Sequence, residues 1–372
     1  MKKVIFIPPN GEMFINDFSI ERLGKYCKNK NNIETLLIKI KNPNSPDNFN
    51  YVDSVIDVES KEEIVEYLKT LDYDVIFHRS WMHAYAFAQL LVEQFDNVIV
   101  NIKDWEVSTK KEYEVMYGKK SVEDFDAIEA IFKKAKLVLS HFTGPQAEIW
   151  AKRYNVCKEK FRFFPEYCNE ESFYFRSNLS YEKPRLVLAG SLSPSSYPEE
   201  ICPSKSHLRV IRKVTKKDIS IDYVLPIGTY AGVKSLKNRL LFQDVLFEDK
   251  FNKNFNIFRG KTLDSSILNN YNFGFFSLEY VTKNEYKNKY AIPSKFAFYL
   301  ESGLPMIVNK KLKALSHFIE TYNLGILFDN DDIDSLEKIL NITNSEYVKM
   351  VENIYSFRKT FVINHIDEFL HI

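Results

Sequence analysis

Short apolar runs alternate with helical patterns along all 372 residues, and this repetition constrains the fold more than any other feature. Most of the runs are apolar throughout, which is typical of parallel strands covered by helices on both faces. They span 3–8, 33–40, 74–80, 97–104 and 136–142 in the first half, and 185–192, 219–228, 255–260, 273–280, 305–310 and 325–329 in the second. The pattern predicts an α/β protein of two tandem doubly wound domains that face a cleft.

A segment rich in Glu, Ser and Asn interrupts the alternation at 163–184 and is bracketed by prolines. Such a composition is typical of a connection between domains. We therefore predict an N-terminal domain over 1–168, a linker over 169–184 and a C-terminal domain over 185–343. A long helical tail over 344–372 is predicted to follow and to pack back on the N-terminal domain.

The composition excludes several classes of protein. Lys+Arg 51 against Asp+Glu 50 gives a net charge of +1, so no global field draws in nucleic acid. The basic cluster between Arg212 and Lys217 is interpreted as a solvated helix face, with contact to an anionic membrane as the alternative. Four widely spaced cysteines favour reduced thiols over a zinc site. No apolar stretch is long enough to span a membrane and the opening run predicts a first strand, so we expect a cytoplasmic protein.

The best candidate for a binding site lies in the stretch 290–308, "YAIPSKFAFYLESGLPMIV". Ligands of doubly wound sheets bind beyond the carboxyl ends of the strands, and a predicted helix begins here at such a position. Its free N–H groups, the Ser294 hydroxyl and the Lys295 ammonium would converge on an anion such as a diphosphate. Ordinary helix capping is the alternative.

Other strand ends of the second half, and the start of the predicted helix at 204–205, also carry groups that suit a phosphate, a nucleobase or sugar hydroxyls. These are Gly190 and Ser191, Lys205, the turn of Arg259, Gly260 and Lys261, and Glu279. The two glycine turns allow close approach to a phosphate and a nucleobase, and the carboxylate suits sugar hydroxyls. Plain turns and an exposed basic loop are the alternative interpretations.

In the first half, Asp104 follows a strand and is the candidate general base, with helix capping as the alternative. Four basic or aromatic residues at strand ends are candidates for the acceptor side, namely His78, Arg79, Trp81 and His141. His78 and His83 have no third ligand at a suitable spacing, so no metal site is predicted.

Several catalytic signatures do not occur in the chain. It contains no GxGxxG, no GxxxxGK[ST] and no GxSxG. The sequence therefore does not favour dinucleotide-dependent hydride transfer, phosphoryl transfer from a P-loop or serine hydrolysis.

The second half resembles a known group. The sequence from "FNIFRGKT" through "IPSKFAFYLESGLPMIV" to "LGILFDNDD" resembles the C-terminal domain of GT-B glycosyltransferases, with galactofuranosyltransferase-like and protein-O-glucosyltransferase-like bacterial enzymes as the closest type. The motif detail covers 255–340, and the order of elements covers most of the chain. The resemblance implies two Rossmann-like domains, a nucleobase near 259–261 and a diphosphate held at 293–295. The chain departs from it at Phe298, where relatives often have glutamate, and at Lys103, where histidine is common.

The resemblance implies a metal-independent hexosyltransferase with a nucleotide-diphosphate sugar as donor, a UDP-sugar being favoured, and no other cofactor. The acceptor would be a glycan, a lipid-linked molecule or a protein, in bacterial surface polysaccharide or glycoconjugate synthesis in the cytoplasm or at the inner face of the membrane. Asp104 would be the base if the reaction inverts the anomeric centre and would orient the sugar if it retains it. The alternatives are a UDP-sugar 2-epimerase and a non-catalytic subunit that binds a glycan or a partner enzyme. A homo-oligomer is compatible with each of these functions.

Overall fold

The computed structural model describes residues 1–13, 18–42, 48–103, 105, 109–117, 122–177, 179–181, 183–190, 204–226, 242–261, 265–277, 289–329 and 332–364. The chain divides into two compact units, one of Met1–Tyr167 with Ile363–Ile372 and the other of Cys168–Val362. No helix in these described ranges is long and apolar enough to cross a lipid bilayer.

The first unit is built on a parallel sheet of seven strands, in the order β3-β2-β1-β4-β5-β6-β7. The strands are β1 (Lys2–Ile7), β2 (Ile33–Ile40), β3 (Ser54–Val58), β4 (Val75–Ser80), β5 (Val98–Ile102), β6 (Leu137–Ser140) and β7 (Phe161–Phe163). The helices are α1 (Phe18–Lys28), α2 (Lys61–Leu68), α3 (Tyr85–Gln94), α4 (Lys110–Tyr117), α5 (Val122–Lys134) and α6 (Gly144–Tyr154). β1 pairs with both β2 and β4, so the winding direction reverses between β1 and β4.

The second unit is built on a parallel sheet of six strands, in the order β10-β9-β8-β11-β12-β13. The strands are β8 (Arg185–Ala189), β9 (Ser220–Pro226), β10 (Phe255–Lys261), β11 (Phe273–Phe276), β12 (Met306–Asn309) and β13 (Gly325–Phe328). The helices of the described ranges are α7 (Ser204–Thr215), α8 (Gln243–Phe251), α9 (Lys295–Glu301), α10 (Lys313–Tyr322), α11 (Glu337–Leu340) and α12 (Asn344–Phe357). β8 pairs with both β9 and β11, so this sheet reverses its winding between β8 and β11.

The predicted fold class, two tandem doubly wound α/β domains, is confirmed by these two parallel sheets. The sequence pattern does not predict β3 and β7. β3 is an edge strand whose side chains are mostly exposed, and β7 has only three residues. Neither strand presents the continuous apolar run by which a buried parallel strand is recognised.

The C-terminal tail differs from its prediction in length and in position. α12 ends at Phe357, and its apolar residues Tyr347 and Val351 pack in the core of the second unit. Val362 then pairs with Cys168, and Ile363 packs against the core of the first unit. The helix therefore belongs to the second unit, because its buried face carries the apolar residues that complete that core.

The described part of the predicted linker is anchored to the second unit. Arg358 is fully buried, and its Nη1 donates to the carbonyl oxygens of Tyr174 at 2.8 Å and Glu301 at 3.0 Å. Its guanidinium carbon lies 4.4 Å from the ring centroid of Phe173 and 4.5 Å from that of Phe175. These contacts fix the backbone of 173–175 on α9 and α12, and the predicted domain boundaries themselves stay predictions.

Candidate functional site

The winding reversal of the second sheet creates a gap beyond the carboxyl ends of β8 and β11. The two strands pair only through Phe273 with Leu186 and Gly274 with Val187. Beyond these pairs the strands separate, and Gly190 and Ser277 follow their ends. A reversal point of this kind is where doubly wound sheets bind ligands, because the loops diverge there and leave a crevice.

Lys295 reaches this gap from the first turn of α9. Its Nζ lies 3.9 Å from the position that a Cβ would occupy on Gly190. The same Nζ lies 5.7 Å from the ring centroid of Phe276, the last residue of β11. Gly190 has a φ of +133°, a conformation that suits glycine, so no side chain comes between β8 and the ammonium. The structure thus brings together two of the residues predicted to bind the donor.

The Lys295 ammonium is a charge held in a poorly solvated position. The residue is partly buried, and this burial lowers its pKa to about 8, because removal of water disfavours the charged form. Within the described part of the chain, no acidic group contributes to that pKa. A cation in such a position is stabilised by an anion, and a diphosphate supplies one.

Tyr299 fixes α9 against the sheet at the same gap. Its hydroxyl accepts a hydrogen bond from the Ala189 N–H at 3.0 Å and donates one to the Val187 carbonyl at 3.1 Å. It thereby satisfies backbone groups of β8 where β11 no longer pairs with them. The ring lies over Gly274, where a Cβ would overlap it. Sequence reasoning missed this residue, although Tyr299 follows Lys295 by one helical turn and the glycine inside β11 signals a close approach.

The other predicted donor residues are placed less completely. α9 begins at Lys295, and Ser294 is its exposed N-cap. The Ser294 hydroxyl makes no capping hydrogen bond. Phe298 is partly buried, with its ring 6.3 Å from that of Tyr299. Ser191 and Glu279 lie outside the described residues. The backbones of Lys205 in α7 and of Arg259, Gly260 and Lys261 in β10 are described, but their side chains are not.

Three of the four predicted acceptor-side residues are buried in the first unit, and two of them, His78 and Arg79, lie in β4. His78 is fully buried, and its Nδ1 lies 3.1 Å from the carbonyl oxygen of Ile7. Burial lowers its pKa to about 3, so the ring is neutral. Arg79 is also buried, and its Nη1 donates to Asn101 Oδ1 at 3.0 Å. His78 therefore links β4 to β1, and Arg79 links β4 to β5.

The remaining acceptor-side predictions lie at neighbouring strand ends. Trp81 is partly exposed just beyond β4, with the Arg79 guanidinium 5.7 Å from its ring centroid. His141 is buried just beyond β6, and its ring lies 4.3 Å from that of Phe142. Asp104 lies outside the described residues, although both its neighbours are described. Tyr85 donates a hydrogen bond to the Lys103 carbonyl, and Trp105 is buried against Tyr85 with ring centroids 5.7 Å apart.

A buried carboxylate that sequence reasoning missed lies at these strand ends. Glu166, three residues beyond β7, is 5% exposed and pairs with Lys103, with Arg22 Nη1 4.0 Å away. The Ser19 hydroxyl lies 3.3 Å from it. Burial alone would raise the pKa of this carboxyl, but Lys103, Arg22 and Arg79 outweigh it and lower the pKa to about 2. Glu166 thus explains why a lysine occupies position 103.

Among the described residues, no group of three or more His, Cys, Asp or Glu side chains is arranged to hold a metal ion.

The comparisons with known proteins agree with the fold described above. Residues 241–363 match the family "Glucosyltransferase 3-like, C-terminal domain". The fold is similar to that of sucrose-phosphate synthase from Thermosynechococcus elongatus (TM-score 0.66, 12% identity, covering 100% of this chain and 97% of that one). It is also similar to HepE from Anabaena in complex with UDP and glucose (TM-score 0.61, 10% identity, covering 97% of this chain and 96% of that one). A third similar structure is WaaG, a glycosyltransferase involved in lipopolysaccharide biosynthesis (TM-score 0.59, 12% identity, covering 99% of this chain and 97% of that one).

No curated protein sequence matches the chain. The solved structures establish the fold, and the family match covers the part of the second unit in which the sequence resemblance was most detailed. The resemblance to GT-B glycosyltransferases is therefore confirmed: the chain has the GT-B fold, and its residues 241–363 are similar to the Glucosyltransferase 3-like C-terminal domain.

Proposed function

We propose that the protein is a glycosyltransferase that transfers a hexose from a nucleotide-diphosphate sugar to a glycan, a lipid-linked molecule or a protein. The observation that carries this proposal is the Lys295 ammonium at the winding reversal of the second sheet, next to Gly190 and with a pKa lowered to about 8. A poorly solvated cation at a winding reversal suits the diphosphate of a donor, because a bound anion would offset the cost of its burial.

The comparisons support a uridine nucleotide as the donor. HepE is solved with UDP and glucose, and an E. coli protein of similar fold is solved with UDP-2-fluoro glucose. The matching family is named for glucosyltransferases. We therefore propose UDP-glucose as the first donor to try. WaaG, a glycosyltransferase involved in lipopolysaccharide biosynthesis, supports a role in bacterial surface polysaccharide or glycoconjugate synthesis. We propose that this synthesis takes place in the cytoplasm or at the inner face of the membrane.

In the proposed mechanism, Lys295 stabilises the negative charge that develops on the departing UDP. The bond between the anomeric carbon and the diphosphate oxygen breaks, and the ammonium neutralises that oxygen's new charge. Ser294 and the Gly190 turn with Ser191 complete the pocket around the diphosphate, and Lys205, Arg259, Gly260, Lys261 and Glu279 contact the rest of the donor. We propose that no divalent ion is required, so that EDTA leaves the rate unchanged.

Asp104 is proposed as the residue that acts on the acceptor hydroxyl. Its neighbours Lys103 and Trp105 are both anchored, the first through Glu166 and Tyr85 and the second by burial. If the reaction inverts the anomeric centre, Asp104 accepts the proton of the acceptor hydroxyl as the new bond forms. If it retains the centre, Asp104 orients the sugar. Trp81 offers a partly exposed ring for the acceptor, while His78, Arg79 and His141 support that edge.

The proposal is tested first by nucleotide binding and then by product analysis. UDP is expected to raise the melting temperature more than GDP or CMP, since a ligand that binds only the folded state stabilises it. Incubation with UDP-glucose is then followed by mass spectrometry. Glucose transfer or slow release of free glucose with UDP supports a transferase, an isomeric UDP-sugar formed without acceptor supports the 2-epimerase, and no stabilisation by any nucleotide supports the non-catalytic subunit.

A further inference from the structure

Two exposed phenylalanines lie on the outer face of α8 in the second unit. Phe247 and Phe251 keep 57% and 63% of their surface exposed, and their ring centroids lie 4.5 Å apart. The opposite face of the helix buries Val245 and Glu248. The two phenylalanines are thus not needed for the core, and an exposed aromatic pair among polar groups is typical of a contact surface.

The helix beside α8 presents cations next to this pair. Arg212 of α7 donates from Nε to Glu248 of α8 at 2.5 Å, and Asn252 donates to the Thr215 hydroxyl at 2.9 Å, so the two helices are adjacent. α7 buries an apolar stripe that includes Ile211. The cations on its other side are Arg209, Arg212 and Lys216, all exposed, and Lys213, partly exposed. They form a basic strip along the edge of α8.

Positive charge prevails on this surface. The exposed Lys250 places its Nζ 5.2 Å from the ring centroid of Phe251. Of the acidic residues of α8, Glu248 is buried and pairs with Arg212, and Asp249 accepts a hydrogen bond from the Ile257 N–H at 2.7 Å. Apart from the Arg212–Glu248 pair, the described side chains of the two helices and of Lys216, directly after α7, include the cations Arg209, Lys213, Lys216 and Lys250 against the carboxylates of Asp244 and Asp249, so the cations are in excess.

We propose that the α7–α8 surface, defined as Phe247, Phe251, Arg209, Arg212, Lys213, Lys216 and Lys250, binds an anionic lipid membrane. Aromatic rings enter the boundary between headgroups and acyl chains, and flanking cations attract the phosphates of anionic lipids. A bilayer supplies both kinds of contact over its whole area. The inference does not depend on the donor nucleotide, and it gives a place to the peripheral membrane contact that the sequence left as an alternative.

Co-sedimentation with vesicles tests the proposal. The protein is expected to bind vesicles that mix phosphatidylglycerol with phosphatidylcholine, and to bind pure phosphatidylcholine vesicles at least about tenfold more weakly, because several cations contribute to the attraction. Phe247→Ser with Phe251→Ser, and separately Arg209→Glu with Lys216→Glu, should each weaken binding to the anionic vesicles by about tenfold or more. Melting temperatures verify that both variants are folded.

Matched controls come from exposed positions elsewhere in the same unit. Leu340→Ser removes an apolar side chain that is 44% exposed, and Lys313→Glu with Lys349→Glu reverses two exposed lysines of α10 and α12. Both should retain wild-type vesicle binding. The proposal is overturned if the wild-type protein does not bind anionic vesicles, or if the controls lose as much binding as the test variants. It is equally overturned if the phenylalanine variant only converts a dimer to a monomer in sedimentation velocity and keeps its vesicle binding.

Discussion

The two sheets share the strand order 3-2-1-4-5-6, to which the first adds a seventh strand, yet the cations at their carboxyl ends have different surroundings. In the first unit, Lys103 pairs with the buried Glu166, and Arg22 and Arg79 lie close enough to lower the pKa of that carboxyl. In the second unit, Lys295 extends over Gly190 and Phe276, and no acidic group of the described residues influences its pKa. The position at a strand end is therefore not sufficient to mark a ligand site. A cation that already has a buried carboxylate holds the structure together, whereas one without such a partner is available to a ligand.

The largest effect is expected for Lys295→Ala. Loss of the ammonium removes the group that stabilises the departing diphosphate, so kcat/KM with UDP-glucose should fall about 100-fold. Lys313→Ala is the matched control, since Lys313 is also the first residue of a helix in the same unit but is exposed. Steady-state kinetics of both variants check this expectation, and equal activity of Lys295→Ala and the control would remove Lys295 from the mechanism.

Glu166→Gln should act on stability instead of on the donor. It leaves the partly buried cations Lys103 and Arg22 without their carboxylate, which should lower the free energy of unfolding by about 3 kcal/mol. Urea denaturation measures the loss, and the stabilisation by UDP should persist. Glu129→Gln breaks an exposed pair with Lys133 and serves as the control without measurable effect. If Glu166→Gln lost UDP binding but kept its full stability, Glu166 would have to be assigned to ligand binding instead of to the structure.

Tyr299→Phe is expected to have an intermediate effect. The hydroxyl satisfies the Ala189 N–H and the Val187 carbonyl inside the gap, so its removal leaves buried backbone groups unpaired and should cost about 1–2 kcal/mol of stability. UDP affinity should also fall by a few fold, since α9 carries Lys295. Tyr322→Phe removes the hydroxyl of a tyrosine that is 45% exposed and is the control for calorimetric melting. If Tyr299→Phe were as stable as the control, contacts other than the Tyr299 hydroxyl would have to fix α9 against β8.

The smallest effect is the pH dependence of donor binding. The pKa of Lys295 is lowered to about 8, so the ammonium is present below that pH and is lost as the pH rises through it. UDP affinity should therefore weaken about threefold between pH 7.5 and 8.5, following the fraction of charged lysine. Lys295→Arg stays charged over this range and should remove the dependence. Calorimetric titrations at the two pH values test this, and a flat profile in the wild-type protein would contradict it.

Residues 255–340 illustrate how far the sequence could be interpreted. Their apolar strands and the Pro293-Ser294-Lys295 helix start predict both the sheet and a cation at its edge, because parallel strands and short loops leave few other arrangements. Tyr299 and Glu166 could not be found in this way. The first acts through the pairing of β8 and β11, and the second depends on cations more than 60 positions away in sequence. The contact of Tyr299 leaves only indirect signals, namely its spacing from Lys295 and the glycine at 274, and the contact of Glu166 leaves no local pattern.

The most direct test of the account compares UDP binding by Lys295→Ala and Lys103→Ala, two lysines at strand ends with opposite surroundings. Isothermal titration calorimetry should be performed at a temperature at which both variants are folded. Lys295→Ala is expected to bind UDP at least about tenfold more weakly than the wild-type protein, because it loses a charge-assisted contact to the diphosphate. Lys103→Ala should keep the wild-type affinity while losing stability. Equal UDP affinity in Lys295→Ala and the wild type, or an equal loss in both variants, would contradict the account.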